Sequence, residues 1–135
     1  MRLLADTQVL IWYVLNPEKL SLAAADELAA EAAANTRVGV SAHALVGIAY
    51  ASEKRTNPLT DNDVAAIHAV LHDNASPFEI APLDLLVTEQ VRSVPRADNA
   101  DPGDRIVVAT AEVLNLTIVS SDRKIPSMTS QPVVW

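Results

Sequence analysis

Three short apolar runs, Leu3-Leu4-Ala5, Val38-Gly39-Val40 and Leu116–Val119, and a weaker extended segment, Phe78–Ala81, recur along the chain with helical stretches between them. Strands this short cannot bury themselves. They must lie side by side, and apolar residues on both of their faces require cover above and below. Alternation with helices therefore predicts a parallel α/β sheet sandwiched between helical layers. A last strand is expected over Pro132–Trp135.

The helices announce themselves by their boundaries. Thr7 can open the first, in which Val9 to Leu15 is apolar all round before Asn16-Pro17 stops it. An all-round apolar helix is buried widely or shared with a partner, and Trp12 and Tyr13 suit core packing and partner contact alike. Ser21 caps Leu22–Ala34, and Ser41 opens a helix through Leu45, Ile48 and Ala49 to Lys54-Arg55. Thr60 and Asp63 have capping-box spacing ahead of Val64, Ile67 and Leu71. Further helices are expected over Leu85–Val94 and Asp104–Leu114, with Pro95–Gly103 as a polar loop. With 135 residues, half of them apolar, and no repeat or linker, one domain spanning 1–135 is expected.

Composition removes several functional classes. There is no cysteine, hence no disulfide framework, thiol nucleophile or cysteine zinc site. Three glycines, Gly39, Gly47 and Gly103, form neither a Walker loop nor a dinucleotide fingerprint, and no Gly-x-Ser-x-Gly elbow supports serine hydrolysis. A formal charge of −7 argues against coating nucleic acid by bulk charge, although binding through metal ions stays open. The longest apolar stretch falls far short of the ~20 residues that span a bilayer. With a strand-like N-terminus, a soluble cytoplasmic protein is expected.

In open parallel sheets the functional crevice lies beyond the carboxyl ends of the strands. Asp6 directly follows the first strand, and Asp122 follows Ile118-Val119-Ser120-Ser121. Asp98, Asp101 and Asp104 cluster in the loop before the late helix. If these strands are neighbours, several carboxylates converge with no lysine or arginine interposed. Such a cluster repels itself unless a hard divalent cation such as Mg2+ or Mn2+ neutralises it, and that combination suits phosphodiester hydrolysis. Each acid also has a structural explanation. Asp101-Pro102-Gly103-Asp104 is a good helix N-terminus, and Asp6 could cap the first helix.

Four segments in register carry a family resemblance. They are Leu3-Leu4-Ala5-Asp6-Thr7, Val40-Ser41-Ala42 before a helix containing Ile48-Ala49, Asp101-Pro102-Gly103-Asp104-Arg105, and Leu116–Ser121 ending in Asp122. Together with the Val-Val-Trp ending, the chain resembles the PIN domain, and its order and spacing are similar to the VapC toxins of bacterial toxin–antitoxin pairs. The resemblance implies a three-layer α/β/α fold with a short central parallel sheet. It further implies a Mg2+- or Mn2+-dependent endoribonuclease, a homodimer, silenced by a small VapB-like antitoxin. From the family's acidic quartet, Asp6, Asp104 and Asp122 carry over as catalytic metal ligands. Thr7 and Ser120 match hydroxyl positions that support the metal shell, while Asp101 matches a cap or supporting group.

The second acid of the quartet is missing. The family's Ser-x-x-Ser-x-x-Glu-Ile-Ala reads here Ser41-Ala42-His43-Ala44-Leu45-Val46-Gly47-Ile48-Ala49, with glycine at the glutamate position. Glu53, six residues on, falls on another helix face. Gly103 replaces a bulky apolar residue and is expected to loosen the loop that aims Asp104. For RNA, Arg105, Arg123 and Lys124 lie beside the acids and can hold phosphates, although Arg105 can equally pair with Asp101 or Asp104. Lys54-Arg55 suits a helix dipole. His68 and His72 share metal-ligand spacing but read better as a solvated rim, and His43 carries no assigned role. The alternative to an enzyme is a silent PIN-like module, natural or inactivated, that binds proteins through its apolar helices.

Overall fold

The computed structural model describes residues 1–96 and 101–135, and Asp98 lies outside the described residues. In chain order the elements are β1 (Leu3–Ala5), α1 (Thr7–Leu15), α2 (Leu22–Ala33), β2 (Val38–Ser41), α3 (Ala42–Ser52) and α4 (Asp61–His72). There follow β3 (Phe78–Ala81), α5 (Leu85–Gln90), α6 (Pro102–Leu114), β4 (Thr117–Val119) and β5 (Val133–Val134). The five strands form one wholly parallel sheet in the order β3-β2-β1-β4-β5. Helices cover both faces, as the short apolar strands require.

Alternation along each strand divides the core in two. Leu3, Ala5, Val38 and Val40 pack on one side with Val9, Leu10, Ala24, Leu28, Ala44, Ile48 and Ile67, from α1 to α4. Leu4 and Ile118 point to the other side, against Val87 of α5 and Val107, Val108 and Ala111 of α6. Full burial of each such aliphatic side chain contributes about 1.5–3 kcal/mol, which is why strands of three residues suffice.

Caps behave as their chemistry dictates. The Asp6, Ser21, Asp84 and Asp101 side chains each accept from a backbone N–H three residues on, and Thr60 with Asp63 forms a complete capping box. Trp12 and Tyr13 both find intramolecular partners. Trp12 meets Trp135 at 5.5 Å between centroids, and Tyr13 sits edge-on to Phe78 at 5.0 Å.

Several expected boundaries move, three of them with a clear physical cause. α3 stops at Ser52, where the Glu53 N–H tightens onto the Tyr50 carbonyl, so Lys54-Arg55 lie past the last turn. The helix expected from Leu85 to Val94 becomes α5 followed by a single 3-10 turn, Val91–Ser93. α6 begins at Pro102 rather than Asp104, because proline has no N–H to leave unsatisfied at a first helical position. Gly103 is thus the second residue of a helix and not part of a loop.

Candidate functional site

The strand order carries a topological switch. From β1 the chain runs to β2 and β3 on one side and later returns to β4 and β5 on the other. The crevice at the carboxyl edge between β1 and β4 is where such sheets place ligands. Both strands end in aspartate-bearing turns there. α6, which runs back along the sheet to feed β4, must begin at that same edge and so delivers Asp104 in its first turn.

A continuous hydrogen-bond chain fixes the β1 and β4 turns to each other. The Asp6 N–H extends the ladder to the Val119 carbonyl at 3.1 Å. One Asp6 carboxylate oxygen caps α1 by accepting from Val9 N–H at 2.9 Å, and the other accepts from the Ser120 hydroxyl. Ser120 is buried, and its Oγ in turn accepts from Asp122 N–H at 3.1 Å. One oxygen of Asp6 thus serves as a cap while the other is held at the β1/β4 edge, so capping does not remove Asp6 from that edge.

Electrostatics tie in the third acid. Burial pushes the Asp6 carboxyl above its usual range despite the bonds from Ser120 and Val9, and Asp122 and Asp104 push it further. Asp104 is also raised, chiefly by burial, then by Asp101 and Asp122, with Lys124 opposing. Asp6, Asp104 and Asp122 are thus mutually repelling neighbours at one edge. Asp101 accepts from Asp104 N–H at 2.9 Å and acts as the N-cap of α6.

The expectation that no basic residue is interposed is wrong. Lys124 N–H donates to Asp122 Oδ1 at 2.9 Å, which turns the chain back. The Lys124 ammonium then lies 3.6 Å from Asp104 Oδ2 and 3.8 Å from Asp122 Oδ2. The sequence placed this lysine beside Asp122 but gave no sign of the reversal that brings it to Asp104.

The other candidates separate. Arg105 pairs with neither Asp101 nor Asp104, because its guanidinium donates to the carbonyls of Val91 and Val94 at 2.8 and 3.0 Å. It lines a groove of about 410 Å3 with Leu83, Val91, Pro102 and Ile106. Arg123 is exposed. Gly47 faces Thr7, the residue after Asp6, and Glu53 is exposed past the end of α3. His43 packs against Gly103, where a Cβ would come within 3.2 Å of its ring. The missing side chain thus lets His43 of α3 approach the start of α6. His68 and His72 are exposed on α4.

The donor chemistry fits a hard divalent ion. The converging groups are carboxylates and hydroxyls, and they already attract an ammonium. Among the described residues no group of three or more His, Asp or Glu side chains lies close enough together to hold a metal ion.

An acid-edged, doubly covered parallel sheet of this order defines a class of protein, and sequence comparison gives its family. The chain belongs to the PIN domain family, whose profile matches residues 3–130. PIN domain nucleases are hydrolases of nucleic acids and typically use divalent metals. No functionally curated protein matches the chain in sequence. Solved structures do share its fold. DNA-bound VapBC from Salmonella typhimurium is 16% identical with a TM-score of 0.72, over 98% of this chain and 96% of that one. VapBC2 from Rickettsia felis, bound to a promoter DNA fragment, is 15% identical with a TM-score of 0.71, over 98% and 97%. FitAcB from Neisseria gonorrhoeae is 22% identical with a TM-score of 0.57, over 97% and 95%. Among the described residues no helix is long and apolar enough to cross a membrane.

Proposed function

We propose that this chain is a VapC-like toxin, a cytoplasmic endoribonuclease that hydrolyses RNA phosphodiester bonds at Asp6, Asp104 and Asp122. One observation carries the proposal. Asp6, Asp104 and Asp122, from separate segments, repel one another at the β1/β4 switch point, and the Lys124 ammonium lies within 4 Å of Asp104 and Asp122. PIN family membership and the VapBC fold neighbours support it.

Asp6, Asp104 and Asp122 would hold Mg2+ or Mn2+, which when bound supplies Lewis-acid activation of water and stabilises developing charge on phosphate oxygens. The protein's own part is positioning. Val9 and Ser120 clamp both oxygens of Asp6, and Asp101 fixes the turn that presents Asp104. Thr7 stands at the head of α1, with its hydroxyl near the empty face of Gly47. Arg123, exposed at the rim, is the residue suited to bind a flanking RNA phosphate. With glycine at position 47 the site has one carboxylate fewer than the family pattern, so its activity is low.

A homodimer and a small VapB-like antitoxin complete the proposal. They are supported by exposed apolar side chains at Val46 and Tyr50 of α3 and at Leu83, Leu85 and Leu86 around the start of α5. The same residues favour the second reading, a silent module that only binds protein. RNA cleavage assayed with Mg2+, Mn2+ and EDTA separates the two. Metal-dependent cleavage lost in Asp6→Asn supports the nuclease. No cleavage in any condition, with tight binding of a small partner, supports the module.

A further inference from the structure

We infer that Lys124 is a built-in cation that a divalent metal must displace before it can occupy this site; the inference rests on the proposed role of Asp104 and Asp122 as metal ligands. The ammonium is within 4 Å of one oxygen of each acid and bridges two segments well separated in the chain. Its position is fixed from two ends. The backbone N–H is bonded to Asp122 Oδ1, and the ammonium faces Oδ2 of the same carboxylate. The Asp104 side chain is 19% exposed and that of Lys124 39%, so water screens the attraction only in part.

A divalent ion bound by either carboxylate would use the same oxygens that the ammonium faces. That places two positive centres within a few ångströms of each other, where like charges repel strongly at a protein's effective dielectric. Both cannot hold the same pair of acids. The flexible four-carbon stem of lysine lets the ammonium leave while its backbone bond stays in place. Lys124 therefore has two opposed effects. It stabilises the metal-free protein by relieving repulsion between Asp104 and Asp122, and it weakens metal binding by competing for the same oxygens.

The test is a Mn2+ titration followed by electron paramagnetic resonance, together with thermal melting in EDTA, on the wild-type chain and Lys124→Met. The variant should melt at lower temperature in EDTA yet bind Mn2+ about tenfold more tightly. A residue with only a structural role would not move affinity upward while moving stability downward. Lys124→Gln, which keeps a hydrogen-bond donor, is read by the same criterion if the methionine variant does not fold. Equal or weaker Mn2+ binding by the variant overturns the competition and leaves the metal site standing. Absence of Mn2+ binding in both wild type and variant overturns the metal site itself, and the competition with it.

Discussion

Gly47 turns its bare α-carbon toward Thr7: a Cβ built there would stand 3.2 Å from Thr7 Cγ2 and 3.3 Å from its hydroxyl. The glycine is therefore next to the residue that follows Asp6, at the site and not remote from it. A side chain at 47 requires Thr7 to yield by a few tenths of an ångström, which is a small adjustment for one side chain.

Gly47→Glu should raise Mg2+-dependent RNA cleavage by about tenfold or more, equivalent to about 1.4 kcal/mol off the barrier. Thr7→Ser removes the methyl group that a Cβ would meet first, so the double variant should match or exceed Gly47→Glu. Gly47→Ala should change stability little, because a helix gain of about 0.5–1 kcal/mol is offset by crowding against Thr7. A fluorogenic RNA assay and thermal melts check all three. Equal cleavage by wild type and Gly47→Glu, with both folded, would show that this position is not limiting.

The metal-free protein should lose stability as pH rises from the ordinary carboxylate range toward neutrality. Asp6 and Asp104 have raised native pKa values, so the native state holds protons that the unfolded state has already released. Their contribution is fully present below the ordinary aspartate value of 3.8 and is lost as pH rises through the raised native values. Asp6→Asn should flatten this profile and raise the metal-free melting temperature at pH 7 by about 2–4 °C, while abolishing cleavage. Melting in EDTA across pH 4–8, roughly the window in which such carboxylates titrate, is the measurement. An unchanged profile in Asp6→Asn would contradict it.

Arg105 and Arg123 should part company on substitution. Arg105→Ala loses two hydrogen bonds to buried-side carbonyls and should cost about 1–3 kcal/mol of stability. Arg123→Ala, on an exposed side chain, should leave stability within about 0.5 kcal/mol and instead weaken RNA binding with a shallower salt dependence. Denaturant melts and RNA binding at two salt concentrations test both. The opposite pattern would reassign the arginines.

Trp135→Ala should destabilise by about 1–2 kcal/mol, since ring pairs contribute about 0.5–1.5 kcal/mol beyond area burial. Trp12 fluorescence should shift to the red as its partner is removed. An unshifted spectrum would mean that the terminal ring does not cover Trp12 in solution.

The fold was legible because its determinants are local and repeated. Short apolar runs, caps such as Ser21 and Thr60, and stops such as Asn16-Pro17 each specify a boundary from nearby residues alone. The edge that carries Asp6 and Asp122 was legible too, since a parallel sheet puts all its strand ends on one side. Boundaries were less so where competing terms are small. At α3, one tightened bond from Glu53 to Tyr50 decides that Lys54-Arg55 fall outside the helix.

What only the tertiary structure decided depends on residues far apart in the chain. Sequence gave Asp104 as a helix-opening acid, but its distance from Lys124 depends on how α6 crosses the sheet and how the chain turns after Asp122. Sequence marked Gly47 and Gly103 as departures from a family pattern. Only packing shows that one lies against Thr7 and the other against His43. Arg105 reads from its neighbours as a partner for acids, yet the nearest acceptors in space are backbone carbonyls at the end of the turn after α5. Strand periodicity and caps act over a few residues and survive in the sequence. The choice of partner for a long charged side chain is made by whichever segments the sheet brings within about 4 Å, and that is a property of the folded chain alone.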